Sequence, residues 1–229
     1  MLFYYLSEKM QFPSPHLADD EGILAIGGDL NPERLLLAYR SGIFPWYSEN
    51  EPIIWWSPDP RFVLYPENVK VSKSMRQVLR QNKFQIKYDT AFEEVIRQCS
   101  LPRKGEEVSG TWITPEMMRA YIALHERGFA HSIEAWQDGK LVGGLYGVAL
   151  GRIFFGESMF AHVSNASKAA FITLVNKLQE HKFELIDSQV YTRHLESLGA
   201  ANTSRESYLK QLQSALLYPS LIGDWGEIL

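Results

Sequence analysis

The 229-residue chain carries one cysteine, Cys99, which excludes an internal disulfide and any zinc site built on thiolates. Its six histidines show no metal-ligand spacing: His125 and His131 flank a predicted helix end, and His181 and His194 stand alone. No apolar run reaches the length of a membrane span. The opening MLFYYLSEKM is too short, and lacks the leading basic residue, for a secretory leader. GESMF is not the G-x-S-x-G turn of a serine hydrolase, and no glycine-rich phosphate loop follows a strand. These absences predict a cytoplasmic protein without a metal. What remains is an ordinary globular composition, 45% apolar and 22% charged, long enough for one large domain or two small ones.

Excess positive charge is also missing overall, since the net charge is −4, but it is concentrated in one place. Residues 69–87, VKVSKSMRQVLRQNKFQIK, hold Lys70, Lys73, Arg76, Arg80, Lys83 and Lys87 and no acid, leaving the rest of the chain at about −10. Ser72 or Ser74 caps a predicted helix here, with Met75, Val78 and Leu79 on its apolar side. Lys73, Arg76, Arg80 and Lys83 share the other side, which is either a solvated face or a grip for an anionic partner. A second concentration lies in residues 43–61, IFPWYSENEPIIWWSPDPR, which hold three of the six tryptophans and four of the eleven prolines. The prolines predict an irregular segment.

Residues 1–61 read as a small, irregular N-terminal domain with one helix through NPERLLLAYRSG, capped by Asn31 and ended by Gly42. Residues 62–229 are more regular. Thr114 caps a helix that Gly128 ends, and Asp138-Gly139 joins two strands as a hairpin. A third strand (RIFFGESMF), a long amphipathic helix (NASKAAFITLVNKLQEHK), the strand FELIDSQV and a last helix from Ser204 follow. Meander, helix and further strand make an α+β fold with a mostly antiparallel sheet.

Two acids interrupt apolar strands. In FELIDSQV, alternation places Phe183, Leu185, Asp187 and Gln189 on one face; in RIFFGESMF, it places Phe155, Glu157 and Met159 together. A carboxylate among apolar side chains costs several kcal/mol unless it is paired, so each acid either serves a structural hydrogen-bond network or does chemistry. If the two strands share a sheet, Glu157 and Asp187 meet across a pocket suited to a protonated amine.

Seven segments carry a family resemblance, in order, over roughly residues 3–215: GGDL (27–30), GIFPWYSENEPIIWWSPDPR (42–61), GTWIT (110–114), HSIE (131–134), FFGESMF (154–160), NASK (165–168) and LIDSQV (185–190). The sequence resembles the bacterial leucyl/phenylalanyl-tRNA–protein transferases; the tail GDWGEIL lies outside the likeness. The resemblance implies a catalytic domain like the GCN5-related N-acetyltransferases over 62–229. SNASKAAF replaces the pyrophosphate loop of acetyl-CoA enzymes, which favours another acyl donor. A CoA-dependent acyltransferase and a non-catalytic RNA-binding protein are the rival readings.

By the same resemblance, the reaction moves leucine or phenylalanine, and also methionine, from aminoacyl-tRNA to an N-terminal Arg or Lys of a protein, marking it for degradation, with neither cofactor nor metal. Trp46 and Trp112 would hold the tRNA's 3′-terminal adenosine, while Trp55 and Trp56 would pin the two lobes. Asp187 and Gln189 would orient the attacking amine, and Glu157 would help hold the cationic acceptor. Leu145, Met159, Leu174 and Ile186 would line the side-chain pocket, and Lys73, Arg76, Arg80 and Lys83 would contact acceptor-stem phosphates.

Overall fold

Local capping and turn chemistry sets most of the element ends in the computed structural model, which describes residues 4–102 and 112–229. Gly110 and Thr111 of GTWIT lie outside the described residues. The first sheet comprises β1 (Tyr4–Leu6), β2 (Ile23–Gly27), β3 (Phe44–Pro45) and β4 (Ile54–Trp56), in the order β1-β2-β4-β3, with α1 (Pro32–Arg40) between β2 and β3. The N-terminal lobe and its Trp/Pro segment are therefore less irregular than the prolines predict. Pro45 is tolerated because β3 lies at the sheet edge, where its missing N–H breaks no ladder, and Pro52, Pro58 and Pro60 fall outside the strands. Trp55 and Trp56 spend their indole N–H groups inside this sheet, on the carbonyls of Gly27 and Trp46, and not on a bond to the larger sheet.

The second sheet contains β5 (Arg61–Leu64), β6 (Gln85–Tyr88), β7 (Ala130–Gln137), β8 (Lys140–Leu150), β9 (Ile153–Ala161), β10 (Leu185–Asp187) and β11 (Ala201–Thr203), ordered β11-β5-β10-β9-β8-β7-β6. Among the described residues of this sheet, only β9 and β10 pair in parallel; its other pairs are antiparallel. The helices that accompany it are α2 (Lys73–Arg80), α3 (Phe92–Cys99), α4 (Pro115–Glu126), α5 (Ala166–Glu180), α6 (Arg193–Ser197), α7 (Arg205–Ala215) and α8 (Trp225–Ile228). The fold is α+β, with the meander β7-β8-β9 followed by the crossover helix α5 and β10. No helix among the described residues is long and apolar enough to cross a membrane.

Apolar side chains alternate between two cores, one on each face of the large sheet. Leu35, Tyr39, Tyr121, Tyr146, Val148 and Phe155 belong to the core shared with the small sheet. Leu145, Ala149, Phe154, Leu174 and Ile186 belong to the core beneath α5. The alternation changes phase in β9. Tyr146 pairs with Ser158 and Gly147 with Gly156, so Glu157 is the extra residue of a β-bulge. Beyond the bulge the faces exchange: Phe155 lies in the core shared with the small sheet, whereas Met159 packs against the core beneath α5. Phe155 and Glu157 thus keep to the side of Tyr39 and Tyr121, as alternation predicts, whereas Met159 leaves it, because strict alternation takes no account of an inserted residue.

Candidate active site

β10 is shorter than its sequence suggests, and that shortness opens the site. Its pairing with β9 ends at Asp187 opposite Phe155, while β9 continues to Ala161 with no strand on that side among the described residues. A cavity of about 810 Å³ fills the opening. Gln189 stands outside the strand, with φ 58°, in the left-handed region. The Asp187 carboxylate stabilises that turn by accepting the Gln189 backbone N–H at 2.9 Å, an Asx turn. The Gln189 side chain then donates to Glu157 Oε1 at 3.2 Å. Strand alternation therefore does not set the position of Gln189; a turn held by Asp187 does.

Asp187 is fully buried. Arg61 grips it side-on, with Nε to Oδ1 at 2.9 Å and the outer guanidinium nitrogen to Oδ2 at 2.7 Å, and Tyr208 donates to Oδ2 at 2.7 Å. The guanidinium lies 4.7 Å from the Phe44 ring centre and 4.6 Å from that of Tyr208. Although burial opposes its charge, the neighbouring Asp187 holds the Arg61 pKa above the ordinary arginine range. With Gln189, four donors occupy the carboxylate, about as many as its lone pairs accept.

Glu157 is enclosed by protein on most sides but lines the cavity. Tyr39 donates to its Oε1 at 2.7 Å and Tyr121 to its Oε2 at 3.0 Å, and the two phenols also touch each other. Burial raises its pKa to about 7, opposed by the hydrogen bonds from Tyr39 and Tyr121; Asp187 pushes further up and Arg61 pulls down. Asp187 and Glu157 are thus bridged through Gln189, and each has its own set of donors.

Trp46 and Trp112 both line the cavity; Trp46 is 40% exposed and its ring meets Trp56 at 5.5 Å between centres. Leu145, Met159 and Ile186 line it from the other side. Leu174 does not: it is wholly buried in the core, and one turn earlier on α5 Phe171 supplies the wall. Lys73, Arg76, Arg80 and Lys83 are exposed on and just beyond α2, away from the cavity wall, with no ion pair among the described residues. Sequence reasoning missed Arg61, Tyr39, Tyr121 and Tyr208. Arg61 left a trace, a charged residue opening the apolar stretch RFVL, whereas the tyrosines read as ordinary core.

Two family models match the chain: leucyl/phenylalanyl-tRNA protein transferase over residues 63–213, and the N-terminal domain of the same family over residues 28–59. The chain is 56% identical over 226 residues to the leucyl/phenylalanyl-tRNA–protein transferase of Desulfatibacillum aliphaticivorans, covering 99% of this chain and 97% of that protein. It is 54% identical over 230 residues to the protein of the same name from Myxococcus xanthus, again with 99% and 97% coverage. Among solved structures, a GCN5-related N-acetyltransferase from Anabaena variabilis aligns with a TM-score of 0.41 and 11% identity, covering 80% of this chain and 44% of that one.

Proposed function

The chain belongs to the leucyl/phenylalanyl-tRNA protein transferase family of aminoacyltransferases, and from that premise we propose that it transfers leucine, phenylalanine or methionine from tRNA to an N-terminal Arg or Lys of acceptor proteins. The product is a new peptide bond that marks the acceptor for degradation, in the cytoplasm. The observation that carries this reading is one cavity with the Glu157 carboxylate and Gln189 amide on its wall, Trp46 and Trp112 around it and an apolar recess beside them.

The donor ester is already activated, so the protein's task is to align amine and ester and to manage a proton. Trp46 and Trp112 stack the terminal adenosine, at about 1–3 kcal/mol per stacked base. Leu145, Met159 and Ile186 hold the donor side chain, and Leu174 backs that recess from the core. Glu157 attracts the cationic acceptor. Asp187 has its lone pairs filled, so it acts by fixing Gln189, which orients the amine. Lys73, Arg76, Arg80 and Lys83 hold acceptor-stem phosphates without reading sequence. The chain divides into a small N-terminal domain to residue 61 and a catalytic domain from 62, a division supported by the change of sheet between Trp56 and Arg61.

The test mixes purified protein, an Arg-starting peptide and equal concentrations of differently charged tRNAs. Leu, Phe and Met should be transferred well, and Ile and Val poorly, since a misplaced methyl is worth only about 10–200-fold. Ser, Asp and Lys should hardly be transferred, because an apolar recess offers their polar groups no partner. Efficient transfer of Ser would place the donor side chain elsewhere. No transfer of any donor would overturn the function.

A further inference from the structure

Three side chains from three elements close a ring of oxygens behind the cavity. Tyr39 of α1 touches Tyr121 of α4, Tyr39 reaches Glu157 Oε1 at 2.7 Å, and Tyr121 reaches Glu157 Oε2 at 3.0 Å. Each such contact is held by one hydrogen lying between its two oxygens. The two phenols bring only two hydrogens for three contacts. With Glu157 ionised, both phenols donate to it, and their own oxygens face each other with no hydrogen between them. With Glu157 protonated, a hydrogen sits in every contact. One phenol donates to the carboxyl, that phenol accepts from the other, and the other accepts from the carboxyl. The ring is complete only when it holds one more proton than the tyrosines supply.

We infer that Glu157, Tyr39 and Tyr121 form a proton-holding ring, in which Glu157 takes the proton lost by the attacking amine and returns it to the ribose oxygen that leaves. The inference rests on the transferase reading given above. The atoms balance without another reactant. The neutral amine forms a C–N bond to the ester carbonyl carbon, and its surplus proton passes to the Glu157 carboxylate. The C–O bond to the ribose then breaks, and the leaving oxygen takes that proton, restoring the carboxylate. Glu157 is the group that lines the cavity; Tyr39 and Tyr121 are positioning residues. Glu157 faces the two phenols from the same side as Phe155, two residues earlier, whose ring meets Tyr39 at 4.9 Å between centres.

The groups around the ring agree with this role. Burial raises Glu157 to about 7, close to the roughly 7.7–8.0 of a free α-amino group. A proton carrier works best when its pKa lies near that of its partner and the working pH. Besides the two phenols, Glu157 faces the Gln189 amide and Asp187 beyond the end of β10, Arg61 from β5, and Tyr146 from β8. Asp187 and Arg61 form an ion pair with each other, so their effects on Glu157 oppose one another.

Two measurements test the ring. In wild-type protein labelled with ¹³C at the glutamate carboxyls, Glu157 should titrate near neutrality, identified by its loss in Glu157→Gln; titration below pH 5 would overturn the proposal. The pH dependence of kcat/KM, measured with saturating Leu-tRNA and one Arg-starting peptide, supplies the second. By this count the loss of one phenol takes two hydrogen bonds from the protonated ring and one from the ionised form, so Tyr39→Phe and Tyr121→Phe should move the acid limb downward by about one unit, whereas phenols that merely donated to the carboxylate would move it upward. The ring therefore predicts a roughly threefold gain at pH 6.5 with little change at pH 9. The amine's own ionisation is common to all three proteins and cancels in the comparison. The two readings fail separately: a wild-type protein that transfers nothing overturns the function, whereas transfer with the acid limb unmoved or moved upward in the variants overturns the ring.

Discussion

Four donors around the Asp187 carboxylate make its replacement a change in stability as well as in chemistry. Asp187→Ala leaves the Arg61 guanidinium buried at 1% exposure with no counter-charge. Removing one partner of a buried pair costs about 3–5 kcal/mol, chiefly the cost of the charge left behind. Replacing both partners by apolar residues of similar volume removes that charge. Arg61→Met with Asp187→Leu should therefore be more stable than Asp187→Ala alone, by about 2 kcal/mol or more in urea unfolding. Transfer should stay abolished in both, because neither holds Gln189 in its left-handed turn. A double variant as unstable as the single one would show that the packing around Asp187, and not the stranded charge, sets the cost.

At the scale of elements, the basic helix gives the most direct test. α2 is capped by Ser72, whose hydroxyl accepts the Met75 N–H, and it buries Met75 while leaving Lys73, Arg76 and Arg80 exposed. Reversing those three to Glu disturbs no buried side chain, so the fold should persist. Binding of aminoacyl-tRNA should weaken and its dependence on salt should flatten, by about 0.7–0.9 in log–log slope for each phosphate no longer neutralised. A short aminoacyl-adenosine donor should be almost unaffected; an equal weakening with that donor would mean that α2 acts through the fold. α2 was legible in the sequence for the same reason as the Thr114 and Ser204 caps and the Asp138-Gly139 turn. Each is written in a few consecutive residues, and each forms as read, with both turn residues at positive φ. The site was legible only in part. Asp187, Gln189 and Glu157 announced themselves as polar residues in apolar company, but the partner of Asp187 lies 126 residues away. The bulge at Glu157 depends on how β8 pairs with β9, which no local pattern in β9 records. The strand carrying Asp187 is short for a similar reason: the Asx turn at Gln189 wins over the β-propensity of the residues around it.

For the molecule as a whole, the C-terminal tail GDWGEIL contributes to stability far from the chemistry, and it is not outside the family likeness, since relatives aligned over 99% of the chain take in most of it. Asp224 caps α8, and Trp225, fully buried, stacks on the His131 ring at 3.8 Å between centres and meets Phe154 and Phe183. Its backbone N–H bonds to Asp89, whose carboxylate also takes the His131 Nδ1–H and the Ser132 N–H, each at 2.8 Å. The tail thus ties the end of β6 to β7 through one carboxylate and one indole. Trp225 does not line the cavity, and neither do Asp89, His131 and Ser132. Trp225→Ala should therefore cost about 3–5 kcal/mol, the usual range for emptying a buried aromatic site. At about 2–4 °C per kcal/mol for a chain of this size, the melting temperature should fall by on the order of 10 °C. At a temperature where the variant remains folded, its kcat and KM for Leu-tRNA and peptide should stay within about twofold of wild type, because no group that touches either substrate has moved. A melting temperature unchanged by the substitution would mean that the tail merely rests on the sheet. A large fall in kcat with intact stability would mean that the Asp89–His131 network reaches the cavity through β7 and β8.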